Sequence, residues 1–278
     1  MAEELSKSEM LYQRTRYQAA NAYWMARISG EVYEKTASGG PDHKAILSTL
    51  ASSDERYIQV LPYNKNSTQA CVIEHKRYIV LAFRGTDELA DWWDNIQALP
   101  KDTKLGEVHS GFHNALLDVW PDMFSAAKKL HRQLARPIWI TGHSLGGALA
   151  TLAAAEMIVE DSPFYGLYTF GAPRAGGREF ARRFNVEAAA RTFRFQNNND
   201  IVTRVPARVM GYSHVGSFRY IDSEKRIHSD AGFWYQFLDG LRGIASDFGD
   251  EDIDHIEDHK IGHYLAGIEN WGNQEPLV

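Results

Sequence analysis

The fold of this 278-residue chain is decided by the stretch Ile138-Trp139-Ile140-Thr141-Gly142-His143-Ser144-Leu145-Gly146-Gly147-Ala148. The apolar residues 138–140 predict a short buried strand, and the Ala/Leu-rich run 145–159 predicts a helix directly after it. The pattern Gly-x-Ser-x-Gly between them is typical of a strained strand-to-helix turn that carries a nucleophilic serine. Gly142 and Gly146 suit that turn because side chains there would clash with the neighbouring strand and helix. Ser144 is therefore the candidate nucleophile, supported by Gly142, His143 and Gly146. The alternative is a glycine-rich turn that contains serine by chance.

The rest of the chain alternates apolar runs with helical patterns, which predicts a mostly parallel sheet covered by helices on both faces. Strands are predicted at 69–74, 78–83, 138–140, 165–170, 191–196 and 214–222. Helices are predicted at 8–30, 111–134, 145–159, 232–245 and 260–270, with a break at Pro121. Repeats, low-complexity tracts and linkers are absent from the sequence, so we predict a single domain over residues 1–278.

Composition excludes several classes of protein. Lys and Arg total 30 and Asp and Glu total 36, which gives a net charge of −6 and no basic footprint for nucleic acid. The one cysteine excludes an intramolecular disulfide framework and a cysteine-built metal site. No apolar run is long enough for a transmembrane helix. The acidic N-terminus lacks the features of a signal peptide. We therefore expect a cytoplasmic or intracellular location, with export by a non-classical route as the alternative.

The negative charge is concentrated in one segment. Seven acidic residues and no basic ones lie between Asp247 and Asp258, so the remainder of the chain carries +1. A solvated surface loop is the simplest interpretation, because the run lacks the ligand spacing of a calcium-binding loop. We also expect this field to favour a protonated imidazole in any histidine beside it.

Seven short blocks point to a known family. They are Phe83-Arg84-Gly85-Thr86, Val108-His109-Ser110-Gly111-Phe112, Thr141 to Gly147, Phe170-Gly171-Ala172-Pro173-Arg174, Asn199 to Pro206, Gly211 to Gly216, and Asp258-His259 followed by Tyr264. In this order they resemble the class 3 lipases, the family of filamentous-fungal lipases and their bacterial and plant relatives, over roughly residues 60 to 270. Gly177 departs from the family, which often has Asn there. The resemblance implies an α/β-hydrolase fold with a short helical lid. It also implies the activity of a triacylglycerol lipase, which hydrolyses the carboxylic esters of acylglycerols through an acyl-enzyme and without a cofactor.

The resemblance implies Asp200 as the acid and His259 as the base of a triad with Ser144. Asp200 follows a predicted strand in an asparagine-rich turn, although it could simply stabilise that turn. Among eleven histidines, His263 is the alternative base. A zinc site at His255, His259 and His263 is disfavoured, because on a helix the outer two lie about 12 Å apart along the axis.

The family pattern also implies an oxyanion hole and a lid. Backbone N–H groups of Leu145 and Thr86 would bind the oxyanion, with Asn95 supporting Thr86. The lid would span about 87–99 and present an apolar face, although the same pattern fits a fixed surface helix; its apolar residues are Leu89, Trp92, Trp93 and Ile96. An insertion at about 232–256 would precede the catalytic histidine and either line the acyl pocket or pack in the core. His109 is predicted to be buried and hydrogen-bonded beneath the site.

Two alternative functions remain open at this point. The same triad could serve a small-ester or phospholipid esterase. From a different class, a lipase-like signalling scaffold could keep the fold without catalysis. The expected partner in the favoured reading is a lipid or ester at a lipid–water interface, with no nucleic acid and no metal.

Overall fold

The structure is a computed structural model, and it describes residues 5–86, 99–229 and 257–272. The helices are α1 (Ala19–Glu31), α2 (His43–Ser53), α3 (Ser110–Leu134), α4 (Leu145–Val159), α5 (Arg178–Ala188) and α6 (Ile261–Gly272). The strands are β1 (Tyr57–Lys65), β2 (Thr68–His75), β3 (Ile79–Phe83), β4 (Pro100–Thr103), β5 (Gly106–His109), β6 (Ile138–His143), β7 (Gly166–Phe170), β8 (Gly176–Gly177), β9 (Thr192–Asn197), β10 (Tyr212–Ser213), β11 (Ser217–Ile221) and β12 (Ile227–Ser229). The predicted insertion 232–256 and the predicted lid, except Leu99, lie outside the described residues.

A mostly parallel sheet forms the centre of the molecule. Its strand order over the described residues is β1-β2-β3-β6-β7-β9-β11-β12. The neighbouring strands from β3 to β11 pair in parallel. The pairs β1–β2 and β2–β3 at one edge and β11–β12 at the other are antiparallel. Parallel strands bring their carboxyl ends to one edge, which is where ligands bind in open α/β sheets. The predicted α/β-hydrolase fold is confirmed.

Both faces of this sheet are buried, as β2 illustrates. Ala70 and Val72 pack in a cluster with the apolar faces of α3 and α4, whereas Cys71 and Ile73 pack with α1 and α6. The alternation follows from the two-residue period of a strand. Burying each such side chain contributes about 1.5–3 kcal/mol for residues of the size of Val or Ile. Helices on both faces therefore hold the central strands rigid beneath the carboxyl edge.

A second, smaller sheet was not predicted from the sequence. It has the order β10-β8-β5-β4, with antiparallel pairing throughout. Its strand β5 ends at His109, which is buried as predicted. The His109 Nδ1 accepts a hydrogen bond from the Phe112 N–H at 3.3 Å, and the two rings stack 4.0 Å apart. His109 therefore caps the start of α3.

Two helix predictions were wrong in detail. The first helix begins at Ala19 instead of residue 8, because the buried Asn21 amide bonds both the N–H and the carbonyl of Leu11 and holds that segment against α1. The helix α3 continues through Pro121 without a break. Pro121 is exposed, so water can satisfy the carbonyl that proline leaves unbonded. None of the described helices has the combined length and apolarity needed to cross a bilayer.

The close approach of α4 to β3 predicts a large cost for a side chain at Gly146. A Cβ there would overlap the Phe83 carbonyl oxygen, which is fixed in β3. We expect Gly146→Ala to lower the free energy of unfolding by about 3 kcal/mol or more in urea titration. Gly262→Ala is the matched control, because a Cβ at this position in α6 meets nothing within 4 Å. It should be neutral or stabilising by up to about 1 kcal/mol, and equal losses in the two variants would contradict the packing argument.

Candidate active site

The turn between β6 and α4 holds Ser144 in a strained backbone conformation. Its φ of 57° and ψ of −134° lie in a region that costs an L-residue of order 1–3 kcal/mol. Two backbone hydrogen bonds hold it there: the Ser144 N–H donates to the Phe170 carbonyl at 2.9 Å, and the Gly147 N–H donates to the Ser144 carbonyl at 2.8 Å. Leu145 is the first residue of α4, where backbone N–H groups have no partner within the helix.

The two glycines of the motif are required by backbone contact. A Cβ on Gly142 would overlap the Gly146 carbonyl, so the turn closes on itself only without a side chain there. Gly85, beside the predicted oxyanion residue Thr86, also lies against the serine: an added Cβ would fall 2.9 Å from the Ser144 Cβ. The backbone leading to Thr86 therefore passes directly alongside Ser144.

Asp200 and His259, which are 59 residues apart in sequence, meet at the same edge. The His259 Nδ1 lies 2.8 Å from the Asp200 Oδ2, and both side chains are buried. A carboxylate accepts, so the His259 Nδ1 carries the proton and the Nε2 keeps its lone pair. Gly171 follows β7 with a φ of 59°, and a Cβ there would lie 2.7 Å from the Asp200 Oδ2 and 2.8 Å from the His259 Cε1.

Further donors hold the Asp200 carboxylate in place. The Tyr264 hydroxyl donates to the same Oδ2 that His259 contacts, and the Val202 N–H donates to Oδ1 at 2.9 Å. Burial, with the Asp200 charge beside it, raises the pKa of Tyr264 well above its ordinary value. The phenol therefore stays protonated and remains a donor. Asp200 is thus fixed from three directions in an orientation that serves the imidazole.

Asp258 anchors the histidine segment to the turn that carries Asp200. Its Oδ2 accepts from the Asn198 side chain at 2.9 Å and from the Asn199 N–H at 3.2 Å. The Asn197 side chain donates to the Asp258 backbone carbonyl at 2.9 Å. Because these asparagines come directly before Asp200, Asp200 and His259 are tied together through their backbones as well as through their side chains.

This anchor predicts an effect of Asp258→Ala on turnover. Loss of the carboxylate should let the His259 backbone drift from Asp200, and a displacement of about 1 Å can cost as much as about 100-fold in rate. We expect kcat for a soluble ester to fall by roughly tenfold with little change in KM. The matched control is Glu257→Ala, since Glu257 is an exposed acid that pairs with Lys260 at 2.6 Å on the surface. A kcat for Asp258→Ala equal to that of Glu257→Ala would contradict the anchoring role.

His143, predicted as a supporting residue, is a buried neutral link. Its Nε2 lies 2.6 Å from the backbone carbonyl of His259, and its ring packs 4.5 Å from the His259 ring. Burial, and then the neighbouring His259, lower the pKa of His143 well below its ordinary value. His143 directly precedes the candidate nucleophile, so it connects that turn with the backbone of the candidate base.

The Ser144 Oγ and the His259 Nε2 are both buried and have no hydrogen-bond partner among the described residues. They sit on adjoining parts of the site, because His143 joins the two segments. Catalytic hydrogen bonds are often long or misaligned before substrate binds. An unpaired hydroxyl and an unpaired imidazole nitrogen in one buried region make Ser144 and His259 the candidates for nucleophile and base.

Buried histidines also predict a pH dependence of stability. Burial lowers the pKa of His75 and of His109 to about 4 each. Between about pH 6.5 and pH 4 the unfolded chain binds protons at these side chains while the folded chain does not, so the folded state loses stability as pH falls through that window. These two histidines should therefore leave the urea unfolding midpoint unchanged between pH 7 and pH 8 and lower it at pH 5. Equal midpoints at pH 5 and 7 would contradict it.

Several predicted site residues lie outside the described part of the chain. These are Leu89, Trp92, Trp93, Asn95 and Ile96 of the proposed lid, His255, and the acidic run up to residue 256. Asp258, at the end of that run, is held by asparagines instead of facing solvent freely. A cleft of about 620 Å³ lies beside β8 and the start of α5, and none of Ser144, Asp200 and His259 lines it.

The sequence reasoning missed Tyr33 and the three asparagines before Asp200. The Tyr33 hydroxyl lies 2.8 Å from the His143 Nδ1, across 110 residues of sequence. Nothing local marks Tyr33, because its role depends on the way α1 packs against β6. The run Asn197-Asn198-Asn199 is evident in the sequence. Its amide groups can donate hydrogen bonds to an acid such as Asp258, which adjoins the candidate histidine His259, so the run could have indicated this contact.

Comparison with known proteins identifies the family. Residues 80–210 match the family model described as Lipase (class 3). The secreted mono- and diacylglycerol lipase A of Penicillium cyclopium is 32% identical over 215 residues, covering 74% of this chain and 68% of the relative. The structure of the Rhizomucor miehei lipase propeptide complex superposes with a TM-score of 0.64 at 24% identity, covering 75% of this chain and 70% of that one, and shares the fold. The chain belongs to the class 3 lipase family.

Other relatives match a smaller share of their own length. The secreted mono- and diacylglycerol lipase 1 of Fusarium solani is 33% identical over 152 residues, which cover 53% of this chain and 45% of the relative. Phospholipase A1-II 5 of Oryza sativa subsp. indica is 25% identical over 248 residues, covering 77% of this chain and 53% of the relative. This chain thus spans about half the length of these two proteins.

The intracellular location expected from the sequence is wrong. The Penicillium and Fusarium relatives are both named as secreted lipases, which points to an extracellular location. The expectation rested on the acidic N-terminus without signal-peptide features and on the single cysteine, Cys71, which is buried in the core. A fold held together by an extensive apolar core needs no disulfide, so cysteine content is a poor guide to its compartment.

Proposed function

We propose that this chain hydrolyses carboxylic esters of acylglycerols with Ser144 as nucleophile, His259 as general base and Asp200 as the acid that orients it. The observation that carries the proposal is the 2.8 Å contact between the His259 Nδ1 and the Asp200 Oδ2. It assigns the proton to Nδ1 and leaves Nε2 as a base in the same buried region as the Ser144 hydroxyl.

The first half of the reaction acylates the serine. The His259 Nε2 takes the Ser144 proton while the Oγ forms a bond to the ester carbonyl carbon, and the carbonyl electron pair moves to oxygen. When this tetrahedral species collapses, its bond to the alcohol oxygen breaks and His259 returns the proton to that oxygen. The alcohol leaves and the acyl group remains on Ser144. Asp200 stabilises the imidazolium that exists between the two proton transfers.

The second half repeats the chemistry with water. His259 takes a proton from water as its oxygen attacks the acyl carbon, and then gives the proton to the Ser144 Oγ when the carboxylic acid leaves. In both halves a negative oxygen develops on the former carbonyl. Backbone N–H groups at Leu145 and Thr86 are the proposed donors to it, and each donor of this kind is worth about a hundred- to a thousand-fold in rate.

The burial of the candidate residues bears on the substrate. Ser144 and His259 are 0% and 1% exposed, and this supports the proposal that part of the protein moves before an ester reaches them. The segment 87–99 remains our proposed lid. An opening that exposes apolar surface is favoured at a lipid–water interface, which suits acylglycerols better than small soluble esters.

A phospholipid is the second candidate substrate, and it has a specific support. A relative from rice is named phospholipase A1, whereas the fungal relatives are named mono- and diacylglycerol lipases. Both classes of substrate present a carboxylic ester of glycerol to the same nucleophile. The names of the more similar, fungal relatives favour acylglycerols, and we propose that the enzyme acts outside the cell as they do.

A substrate panel tests this proposal. Monoacylglycerol, diacylglycerol, triacylglycerol and phosphatidylcholine of the same acyl chain should be compared, with a p-nitrophenyl ester series as reference. We expect acylglycerols to be hydrolysed faster than the phospholipid, with a jump in rate above the solubility limit of the substrate. Exclusive hydrolysis of phosphatidylcholine would make phospholipids, and not acylglycerols, the substrate class. A rate that rises smoothly through the solubility limit of the substrate would count against interfacial opening.

A further inference from the structure

Tyr33, just after α1, reaches the candidate site from outside the region that matches the family model. Its hydroxyl lies 2.8 Å from the His143 Nδ1, and the His143 Nε2 lies 2.6 Å from the His259 backbone carbonyl. These two contacts form a continuous path of hydrogen bonds from α1 to the backbone of the proposed base.

The direction of each hydrogen bond follows from the chemistry of the groups. A backbone carbonyl can only accept, so the His143 Nε2 must carry a proton. His143 is neutral because burial lowers its pKa, so its Nδ1 is left with a lone pair. The Tyr33 hydroxyl is then the donor to that lone pair. Tyr33 thereby satisfies the Nδ1 of the tautomer that holds the His259 carbonyl, and it ties the ring to the segment just after α1.

Tyr33 also contacts the other side of the site. A Cβ added to Gly85 would overlap the Tyr33 hydroxyl and would also approach the Ser144 Cβ. The Arg84 guanidinium lies 5.8 Å from the centre of the Tyr33 ring. The phenol is therefore packed against the strand end that leads into Thr86, the proposed oxyanion donor.

We propose that Tyr33 is a positioning residue for catalysis, which fixes the ring of His143 and through it the backbone position of His259. The inference rests on the proposed function, because it assumes that His259 is the base. Without the hydroxyl, the buried His143 Nδ1 loses its donor, and the ring is held only by its hydrogen bond to the His259 carbonyl. The ring can then shift, and the backbone of the proposed base shifts with it.

Tyr33→Phe tests this role, and Tyr57→Phe is its matched control. The Tyr57 hydroxyl is buried and bonds the Tyr78 hydroxyl at 3.0 Å, in a different part of the fold. We expect Tyr33→Phe to lower kcat for a soluble ester by about 10- to 100-fold with KM within about twofold. The rate of inactivation by a serine-directed phosphonate should fall in parallel. Tyr57→Phe should keep kcat, although both variants lose a buried hydrogen bond and melt at a lower temperature. Equal kcat in the two variants would overturn the proposal.

A second measurement needs no activity. In wild-type protein labelled with ¹⁵N-histidine, the nitrogen shifts of His143 should report protonation at Nε2, and Tyr33→Phe should move the Nδ1 shift toward that of a lone pair without a donor. A wild-type His143 protonated at Nδ1 would overturn the positioning role by itself. Failure of the Tyr33 role and failure of the proposed function give different results. Active wild type with an unaffected Tyr33→Phe removes only the role of Tyr33, whereas wild type that is inert toward all esters and the phosphonate removes the proposed function and this inference with it.

Discussion

Ser144→Ala is expected to lower kcat for ester hydrolysis by about 10⁴- to 10⁶-fold. The methyl group of alanine cannot attack the carbonyl, so only transition-state binding by the oxyanion donors remains. Steady-state hydrolysis of a p-nitrophenyl ester, with the background rate subtracted, measures the loss. A variant that retains more than about one hundredth of wild-type kcat would contradict the assignment of the nucleophile, since the loss of a triad serine exceeds this by orders of magnitude.

The same variant should be at least as stable as the wild type. The Ser144 Oγ is buried without a partner among the described residues, and an unsatisfied buried polar group costs about 1–3 kcal/mol. Replacing it with a methyl group removes that cost without changing the backbone. Ser29→Ala is the contrast, because the Ser29 hydroxyl bonds the Thr141 hydroxyl at 2.8 Å in the interior. We expect it to lose about 1 kcal/mol. A serine kept at a cost to stability is what a catalytic role implies.

Asp200→Asn is the second large effect, with an expected fall in kcat of about 10⁴-fold. The Asp200 Oδ2 accepts from both the His259 Nδ1 and the Tyr264 hydroxyl. An amide nitrogen at that position would face these two donors. An amide oxygen there would put the nitrogen against the Val202 N–H. In the first arrangement His259 moves its proton to Nε2, where it can no longer accept one from serine.

A surface pair supplies the control for Asp200. Asp222 also bonds a histidine, with its Oδ2 2.8 Å from the His228 Nε2, but on an exposed turn. Asp222→Asn should leave kcat within about twofold of wild type, because exposed ion pairs contribute little and this pair touches no part of the site. Asp200→Asn should also unfold at lower urea, by about 1–3 kcal/mol, since it leaves buried donors unpaired. Unchanged kcat in Asp200→Asn would contradict its role as the orienting acid.

The sequence predicted the parts of the site that depend on local geometry. The elbow around Ser144 needs glycine at fixed positions and a strand and helix on either side, so a short motif defines it almost completely. Asp200 and His259 were predicted through the family blocks that contain them. The helix α5 could also have been predicted, because Phe180, Ala181, Phe184 and Ala188 follow a helical period and are all buried.

The parts that could not be predicted depend on contacts between distant segments. Tyr33 and His143 are 110 residues apart, and Asp258 meets Asn197 across 61. No periodicity in the chain reports such pairs. The strands β4 and β5 are short, and β4 is exposed at three of its four residues, so the apolar alternation that identifies a strand is missing. The small sheet therefore became visible only in the folded chain.

The most direct test of the central claim is covalent labelling by a serine-directed phosphonate, with the modified residue located by peptide mass spectrometry. The account predicts one modified peptide, carrying the label on Ser144, in wild-type protein. It also predicts no label in Ser144→Ala and much slower labelling in Asp200→Asn, because the phosphonate reacts only with a serine activated by its base. Ester-hydrolysing wild type that remains unlabelled, or that carries the label on a residue other than Ser144, would contradict it.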